Sequence, residues 1–525
     1  MSERTYVTKA AGIVGAATFL SRIFGFLRDV VIGAFFGATL YSDAFFVAFR
    51  IPNLLRRLFA EGSLSIAFVP VFTEYLAMEG KEEAFKLAGS AIRILSLILI
   101  VITVLGIIFS PVIVHIIAPG FSDSPEKISL TATLTRIIFP YIFFICLVAL
   151  CMGILNVLGH FAAPSIAPVL LNISMICSIL IVSFFSADIN NRIFALAIGV
   201  LIGGFLQLML QVPFLIRKGF HFCVKVKFYH PGIKKIGILM LPAILGSAVY
   251  QINILIGTLL ASLLPEGSVS YLYYADRLVQ FPLGIFAMAA ATAVLPSLSR
   301  QVASKDFAGV KDTFTYAINL VSFVTIPAMA GLIVLRQPIV VLLFKRGVFD
   351  TNATLQTSYA LLFYSMGLWA FSSVRIVVST FYALHDTKTP VKMAIISILA
   401  NVILGIILMG PLKHGGLALS TSLASMLNLV LLIRALQIKL GFLEWKKIAV
   451  SSFKSSACSI IMGIAVWTIS LYIFSPREQT ISGLFFGITG SILTGLILYG
   501  FSSRLLKSRE LEMVLSIVQK SVKRK

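Results

Sequence analysis

The charged residues between Ser21 and Glu61 are the ones in this chain best suited to do chemistry. They stand among stretches otherwise apolar enough to cross a bilayer, and they are Arg22, Arg28, Asp29, Asp43, Arg50, Arg56, Arg57 and Glu61. A charge near the middle of a membrane helix costs roughly 3 kcal/mol on insertion scales, so such side chains usually face a wet interior lined by protein. Guanidinium groups in that setting favour phosphate or carboxylate ligands. The cluster therefore predicts an anionic ligand.

Seven-residue spacing places several of these charges on common helix faces. Seven residues turn through about 700°, which returns a helix to nearly the same direction. Arg22 and Asp29 therefore share a stripe of the first predicted helix, with Arg28 at its edge. The second predicted helix repeats the spacing with Asp43, Arg50 and Arg57. We expect Arg22, Arg28 and Asp43 to bind ligand, and Arg56 beside Arg57 to do so near the cytoplasmic end.

A second group of charges, Asp276 and Arg277, lies in the segment YYADRLVQFP of the eighth predicted helix. The alternative to ligand binding is internal pairing. The pairs would be Arg28 with Asp29 or Asp43, Arg56 or Arg57 with Glu61, and Arg277 with Asp276. We favour pairing for Arg57 and Glu61, as a gate network. For Arg22, Arg28 and Arg277 we favour a ligand, because positive charges outnumber negative ones.

The composition predicts an all-α polytopic membrane protein. Of 525 residues, 58% are hydrophobic and 12% charged, and the mean hydropathy is +0.99, which leaves too little polar surface for a soluble fold. Apolar runs of 20 residues or more indicate helices, since barrel strands would alternate over about ten residues. The fourteen predicted spans are 11–37, 42–75, 90–117, 130–158, 164–186, 192–216, 236–262, 270–298, 313–336, 355–384, 390–410, 415–438, 450–474 and 481–503.

The charge distribution predicts that both termini are cytoplasmic. The net charge of +22 is concentrated in alternate loops and in the C-terminal tail, as the positive-inside rule requires. This distribution argues against nucleic-acid binding and for contact with membrane lipids. One exception is 337–350, where basic residues fall on the predicted outer side; a short interfacial or re-entrant piece would explain it.

Sequence motifs for metal, nucleotide or catalysis are missing. The six histidines have no HExxH spacing, the five cysteines form no CxxC pair, and no GxxxxGK[ST] occurs. We therefore expect no metal site, no cofactor and no enzymatic activity.

An internal repeat divides the chain. AFVP at 67–70 matches AVLP at 293–296, and LGHFAAPS at 158–165 matches LHDTKTPV at 384–391, both at an offset of about 226 residues. Six spans per repeat predict two pseudo-symmetric six-helix lobes around a cavity. We expect lobes at 1–220 and 221–440, and two further helices with a basic cytoplasmic tail at 441–525.

Several segments together resemble the MurJ (MviN) family of bacterial lipid II flippases, within the multidrug/oligosaccharidyl-lipid/polysaccharide exporter superfamily. They are SRIFGFLRD, SDAFFVAFRIPNLLRRLFAEGSLSIAFVP, APGF, FPYI, APVLLNISMI, SYLYYADRLVQFP, LPSLS, DTKTPVK and GPLKHGGLALS. The resemblance covers about residues 10–440. It implies a transporter of the inner membrane that moves undecaprenyl-pyrophosphate-linked disaccharide pentapeptide to the periplasmic leaflet by alternating access.

By motif position, the family's cavity arginines fall on Arg22, Arg28 and Arg277, and further functional charges on Asp43 and Arg56. Asp29 and Glu61 fit as gate partners, and Arg50 is a tunable position. We expect a monomer that binds lipid II and membrane lipids, with cell-wall synthesis proteins as possible partners. The alternatives are a flippase for another polyprenyl-linked saccharide, a cation-coupled drug exporter, and a non-transporting cell-wall scaffold.

Overall fold

The structure is a computed structural model, and it describes residues 3–58, 64–221, 230–473, 480–513 and 515. Within these residues all regular secondary structure is helical. Nine helical stretches of the described chain are long and apolar enough to cross a membrane, or ten if one bent pair is a single span. Two of the nine, Pro125–Val157 and Ser268–Ala303, each join two helices across a local irregularity. The chain is therefore an all-helical, multi-pass membrane protein, while the number of fourteen spans stays a prediction.

The described chain divides into two compact units, and the first comprises Met1–Ser270 with Gly347–Phe349. Its helices are α1 (Glu3–Phe36), α2 (Leu40–Leu55), α3 (Ser65–Met78), α4 (Gly80–Ile108), α5 (Ser110–Ile117), α6 (Pro125–Ile138), α7 (Tyr141–Val157), α8 (Ala162–Phe185), α9 (Ile189–Arg217) and α10 (Pro231–Ser262). Large aromatic side chains fill its interior, among them Phe45, Phe68, Phe72 and Tyr141.

The second unit comprises Tyr271–Arg346 and Asp350–Lys525. Its helices are α11 (Ser268–Pro282, beginning in the first unit), α12 (Met288–Ala303), α13 (Phe307–Val334), α14 (Arg336–Phe344), α15 (Thr351–Met366), α16 (Leu368–Ala383), α17 (Lys388–Leu440), α18 (Trp445–Ile473) and α19 (Ile481–Leu505). Phe314, Ile376 and Leu432 lie in its core. The predicted division into lobes at 220 and 440 stays a prediction.

Side-chain caps and prolines fix where several helices begin. Asp188 accepts from the amide of Asn190 at 3.0 Å at the start of α9, and Asp306 accepts from that of Gly309 at 2.9 Å at the start of α13. Such caps satisfy amide groups that have no partner inside the helix. Pro125 and Pro231 stand in the first turns of α6 and α10, where no donor is lost. Polar residues at the ends of apolar runs thus set the helix limits.

Three spans predicted as single helices are broken in the structure. The span 90–117 breaks at Phe109 between α4 and α5, and 130–158 breaks at Phe139–Pro140 between α6 and α7. The span 355–384 bends by 41° between α15 and α16, at Gly367. Pro111 in the first turn of α5, Pro140 immediately before α7 and the glycine at the bend account for these breaks. The short α14 lies within the 337–350 segment, whose interfacial position stays a prediction.

Helix α17 contains two predicted spans, 390–410 and 415–438, and turns back on itself between them. Lys413 has non-helical angles of φ 49° and ψ −133°. The Ser397 hydroxyl donates to the carbonyl of Ala424 at 2.5 Å, so the two arms lie side by side. At the open end of this hairpin, Asp386 pairs with Lys439. The predicted break at 411–414 is therefore confirmed as a reversal.

Left-handed turns recur at matching positions of the two sequence repeats. Positive φ angles occur at Gly80 and Lys305, at Gly159 and His385, and at Gly219 and Gly441. The two residues of each pair are separated by nearly the offset of the sequence repeat, and each residue lies in a turn at the end of a helix. The agreement between backbone conformation and sequence supports the internal repeat.

Candidate functional site

The charged face of α1 carries a buried network around Arg28. The Arg28 side chain donates from Nε and Nη2 to Oδ1 of Asp29, at 3.0 and 2.7 Å, and from Nη1 to Oδ1 of Asn172 at 3.0 Å. Arg28 is 6% exposed and Asp29 2%. The predicted Arg28–Asp29 pair is therefore present. All three nitrogens of the guanidinium are engaged, which fixes the plane of the fork.

Asn172 was missed by sequence reasoning, although the segment APVLLNISMI that contains it was singled out. It lies on α8, and its Nδ2 donates to the backbone carbonyl of Ser21 on α1 at 3.3 Å. One amide thus contacts both the backbone of α1 and the guanidinium of Arg28. The signal available in the sequence was an asparagine in the apolar span 164–186, because a buried polar group needs a partner.

Arg22 differs from Arg28 in being exposed. Within the described part of the chain, no residue forms a hydrogen bond or ion pair with it. Apolar side chains of the same helix, Phe19, Ile23 and Leu27, are exposed around it. This part of α1 therefore combines one available guanidinium with an apolar surface.

Asp43 on α2 is buried, with 1% of its surface exposed, and both its carboxylate oxygens accept hydrogen bonds from the protein. Oδ2 accepts from Lys127 Nζ and from the amide of Gly267, each at 2.8 Å. Oδ1 accepts from the amide and hydroxyl of Ser270, at 2.9 and 2.7 Å. Asp43 therefore caps the N-terminus of α11 from another helix.

Lys127 on α6 is the counter-charge of Asp43, and sequence reasoning missed it too. Its amino group lies 4.1 Å from the ring centroid of Phe121, a cation–π contact, and its side chain is 8% exposed. The three further hydrogen bonds that Asp43 accepts, together with the cation–π contact of Lys127, offset the cost of burying this pair. Any ligand contact by Asp43 would require these bonds to break first.

The remaining charges of this region are half-buried, with Arg50 in the second half of α2 and Arg56 and Arg57 just beyond its C-terminus. Arg50 donates from Nη1 to the hydroxyl of Thr258 on α10 at 2.5 Å, and Arg56 donates from Nε to Asn53 Oδ1 at 2.9 Å. No hydrogen bond or ion pair of Arg57 occurs among the described residues. Glu61, its predicted gate partner, lies outside the described residues. The predicted gate network is therefore untested.

The charges of α11 belong to the second unit. Arg277 donates from Nη2 to the Tyr273 hydroxyl at 2.9 Å, and its guanidinium carbon lies 5.0 Å from the centroid of that ring. Asp276 accepts from Gln280 Nε2 at 2.7 Å. Both residues are half-buried. The tyrosine therefore orients Arg277 without neutralising it.

Metal-ligating side chains do not gather anywhere in the described part of the chain. No group of three or more His, Cys, Asp or Glu residues there could hold an ion. The four described cysteines are free thiols.

Comparison with known proteins identifies close relatives over nearly the whole chain. A family model described as "Lipid II flippase MurJ" matches residues 32–480. A Vibrio cholerae serotype O1 protein named "Probable lipid II flippase MurJ" is 39% identical, over 95% of this chain and 97% of its own length. "Lipid II flippase MurJ" of Burkholderia cenocepacia is 35% identical, over 81% of this chain and 82% of its own.

Solved structures agree with these relatives. "Lipid II flippase MurJ, inward closed conformation" superposes with a TM-score of 0.77 at 30% identity and covers 94% of this chain and 99% of its own. An inward-facing multidrug resistance MATE family transporter of the MOP superfamily superposes with a TM-score of 0.68 at 16% identity, covering 82% of this chain and 98% of its own, a likeness of fold alone.

Proposed function

This chain belongs to the MurJ family of lipid II flippases, and from that premise we propose that it moves lipid II across the bacterial inner membrane. The substrate would pass from the cytoplasmic to the periplasmic leaflet by alternating access. The family is one of transporters and has no catalytic step of its own. Lipid II carries a pyrophosphate between its undecaprenyl chain and its sugars, so the anion predicted from the sequence is this pyrophosphate.

The observation that carries the proposal is the face of α1. Arg22 is exposed and has no partner among the described residues, while Arg28, nearly two turns further along the helix, is held by Asp29 and Asn172. The exposed Phe19 and Ile23 lie on the flank of α1 beside Arg22 and give its surroundings an apolar part. A guanidinium beside apolar side chains suits a phosphate attached to a polyprenyl chain. Arg22 is thus the first contact of the pyrophosphate and Arg28 the second.

The other candidate residues take different roles in the proposal. Arg277, in the second unit, is a further substrate contact by its match to the family's motif, and Tyr273 orients its side chain. Arg56, which was expected to touch the substrate, is assigned instead with Arg50 and Arg57 to control of access at the cytoplasmic end. Glu61 is their predicted partner. Asp43 is included as a substrate contact only in a state in which its bonds to Lys127 and Ser270 are broken. Asp29 holds the side chain of Arg28, and Asp276 accepts a hydrogen bond from Gln280.

A cation-coupled drug exporter is the less favoured function. Such a protein needs acidic side chains free to hold a cation. Asp29 is bonded to Arg28 and Asp43 to Lys127, Gly267 and Ser270. These two acids are therefore already neutralised, whereas Arg22 is not. The arrangement favours an anionic substrate, and a flippase for another polyprenyl-linked saccharide would share it.

Substitution of Arg22 tests the proposal most cleanly. Because the side chain is exposed and has no described partner, Arg22→Ala should change the free energy of unfolding by no more than about 0.5 kcal/mol. Loss of one charge-assisted contact should weaken lipid II binding roughly tenfold or more. The measurement is lipid II affinity of the full-length protein in nanodiscs, with growth of cells that depend on this flippase as a second readout.

Arg504→Ala is the matched control, since Arg504 is an exposed arginine in the last turn of α19. It should leave lipid II affinity unchanged. If Arg22→Ala binds lipid II as tightly as the unsubstituted protein and supports growth, the assigned substrate contact is wrong.

We further propose that both termini are cytoplasmic, that the protein acts as a monomer in contact with membrane lipids, and that cell-wall synthesis proteins are its partners. The first point rests on the charge of the loops. The others rest on the family.

A further inference from the structure

We propose that Asn172 is a positioning residue for substrate binding: it holds the Arg28 guanidinium in the orientation that receives the pyrophosphate. The inference rests on the proposed function, because it takes Arg28 to be a substrate contact. It adds a residue outside the charged set recognised in the sequence.

The geometry of the guanidinium carries the first step. Asp29 engages Nε and Nη2 through a single oxygen, Oδ1. Two bonds that converge on one atom restrict the tilt of the guanidinium plane less than a bond at a separate point does. Asn172 Oδ1 supplies such a point, because it accepts from Nη1 at 3.0 Å on the other side of the guanidinium. Bidentate recognition of a phosphate depends on the orientation of this plane.

The anchoring of Asn172 carries the second step. Its Nδ2 donates to the Ser21 carbonyl, which lies on α1 two turns before Arg28. This bond fixes which end of the amide faces the guanidinium, because Nδ2 is taken by a carbonyl and Oδ1 must face the donor. The side chain is 6% exposed, so water competes little with either bond. Asn172 is therefore itself held in place, as a supporting residue has to be.

The neutrality of Asn172 carries the third step. Arg28 already has one carboxylate partner, Asp29, and a second carboxylate would give the group a net negative charge that repels pyrophosphate. An amide oxygen accepts the hydrogen bond without adding charge. An asparagine at this position thus orients the Arg28 guanidinium without changing the net charge around it. This suits an anion-binding site better than a second carboxylate would.

The test compares Asn172→Ala with Gln207→Ala. Gln207 on α9 is 2% exposed, and its Nε2 donates to the carbonyl of Ala167 at 3.0 Å. Its side-chain amide therefore also forms a hydrogen bond to α8, but none to Arg28. Both variants should lower the melting temperature of the purified full-length protein. We expect Asn172→Ala to weaken lipid II affinity about tenfold and Gln207→Ala to change it less than twofold.

A double substitution separates positioning from helix packing. Lysine has no planar fork to orient, so in an Arg28→Lys background Asn172→Ala should change lipid II affinity by less than twofold. A role limited to α1–α8 packing predicts instead that the two effects multiply. The inference is overturned if they do, or if Asn172→Ala binds lipid II as tightly as Gln207→Ala.

Arg28→Ala distinguishes failure of this inference from failure of the proposed function. If Arg28→Ala binds lipid II normally, the substrate contact itself is wrong and the role of Asn172 is lost with it. If Arg28→Ala loses affinity while Asn172→Ala keeps it, the proposed function stands and only the positioning role is rejected.

Discussion

The charged residues of α1 and α2 differ in how many hydrogen bonds they form within the protein. Asp43 accepts four hydrogen bonds and Arg28 donates at least three, whereas Arg22 has none among the described residues. A carboxylate whose oxygens are all hydrogen-bonded within the protein, as in Asp43, stabilises one arrangement of helices, whereas Arg22 is available to a ligand. Arg28 lies between these cases, because its partners hold a cationic side chain that we assign to the substrate.

The Asp43–Lys127 pair gives a stability prediction. Lys127→Met should destabilise the protein by about 3 kcal/mol or more, because it leaves a buried carboxylate without its counter-charge. Combining it with Asp43→Asn should recover part of that loss, since no net charge then remains buried. Thermal unfolding of the full-length protein in detergent measures both effects. A double variant less stable than Lys127→Met alone would contradict the interpretation of the pair.

Helices follow from the sequence more readily than their contacts. The predicted spans 192–216, 313–336 and 481–503 correspond to α9, α13 and α19, because each is a continuous apolar run with a polar cap. The partners of Asp43 lie 84 and 227 positions along the chain, at Lys127 and Ser270. Nothing local to Asp43 indicates them, since such contacts arise only when the helices pack.

The same limit applies to Arg28. Its hydrogen bonds with Asp29 were predicted, because the two residues are adjacent in the chain. Its bond with Asn172 joins α1 to α8, and no periodicity within either helix indicates which polar residue faces which. The sequence therefore predicts the cationic character of the site, but it does not indicate that Asn172 orients the Arg28 side chain.

The α17 hairpin gives a prediction at the scale of an element. Asp386 accepts from the amide and hydroxyl of Thr389 at the start of α17 and pairs with Lys439 at its end. Burial opposes ionisation of this carboxyl, but the bonds from Lys439 and Thr389 outweigh it and hold the pKa of Asp386 well below its usual range. The ionised acid thus ties the two ends of the hairpin together.

A lowered pKa in the folded state stabilises the protein at pH values above the unfolded pKa of about 4. That contribution is lost as the pH falls towards the folded pKa. Asp386→Asn should therefore be less stable than the unsubstituted protein at pH 7, with a difference that shrinks below pH 4. Chemical unfolding at a series of pH values measures this, and a difference independent of pH would exclude the proposed role of the charge.

The whole molecule distributes its positive charge as a membrane protein with a defined orientation does. In a cysteine-free variant, a cysteine at Asn190 should react with an impermeant maleimide in intact spheroplasts, because the 186–191 loop is expected outside. A cysteine at Lys305 should react only after permeabilisation. Both positions are exposed, so accessibility within the protein does not differ. The opposite pattern would place the termini on the periplasmic side.

The paired left-handed turns bear on how the protein could be engineered. Where the first repeat has Gly80 and Gly159, the second has Lys305 and His385, also at positive φ. A side chain at positive φ costs about 1 kcal/mol or more, so the second repeat carries this strain at two turns where the first has glycine. The glycines of the first half thus serve as a consensus for relieving that strain in the second, without touching any residue assigned to transport.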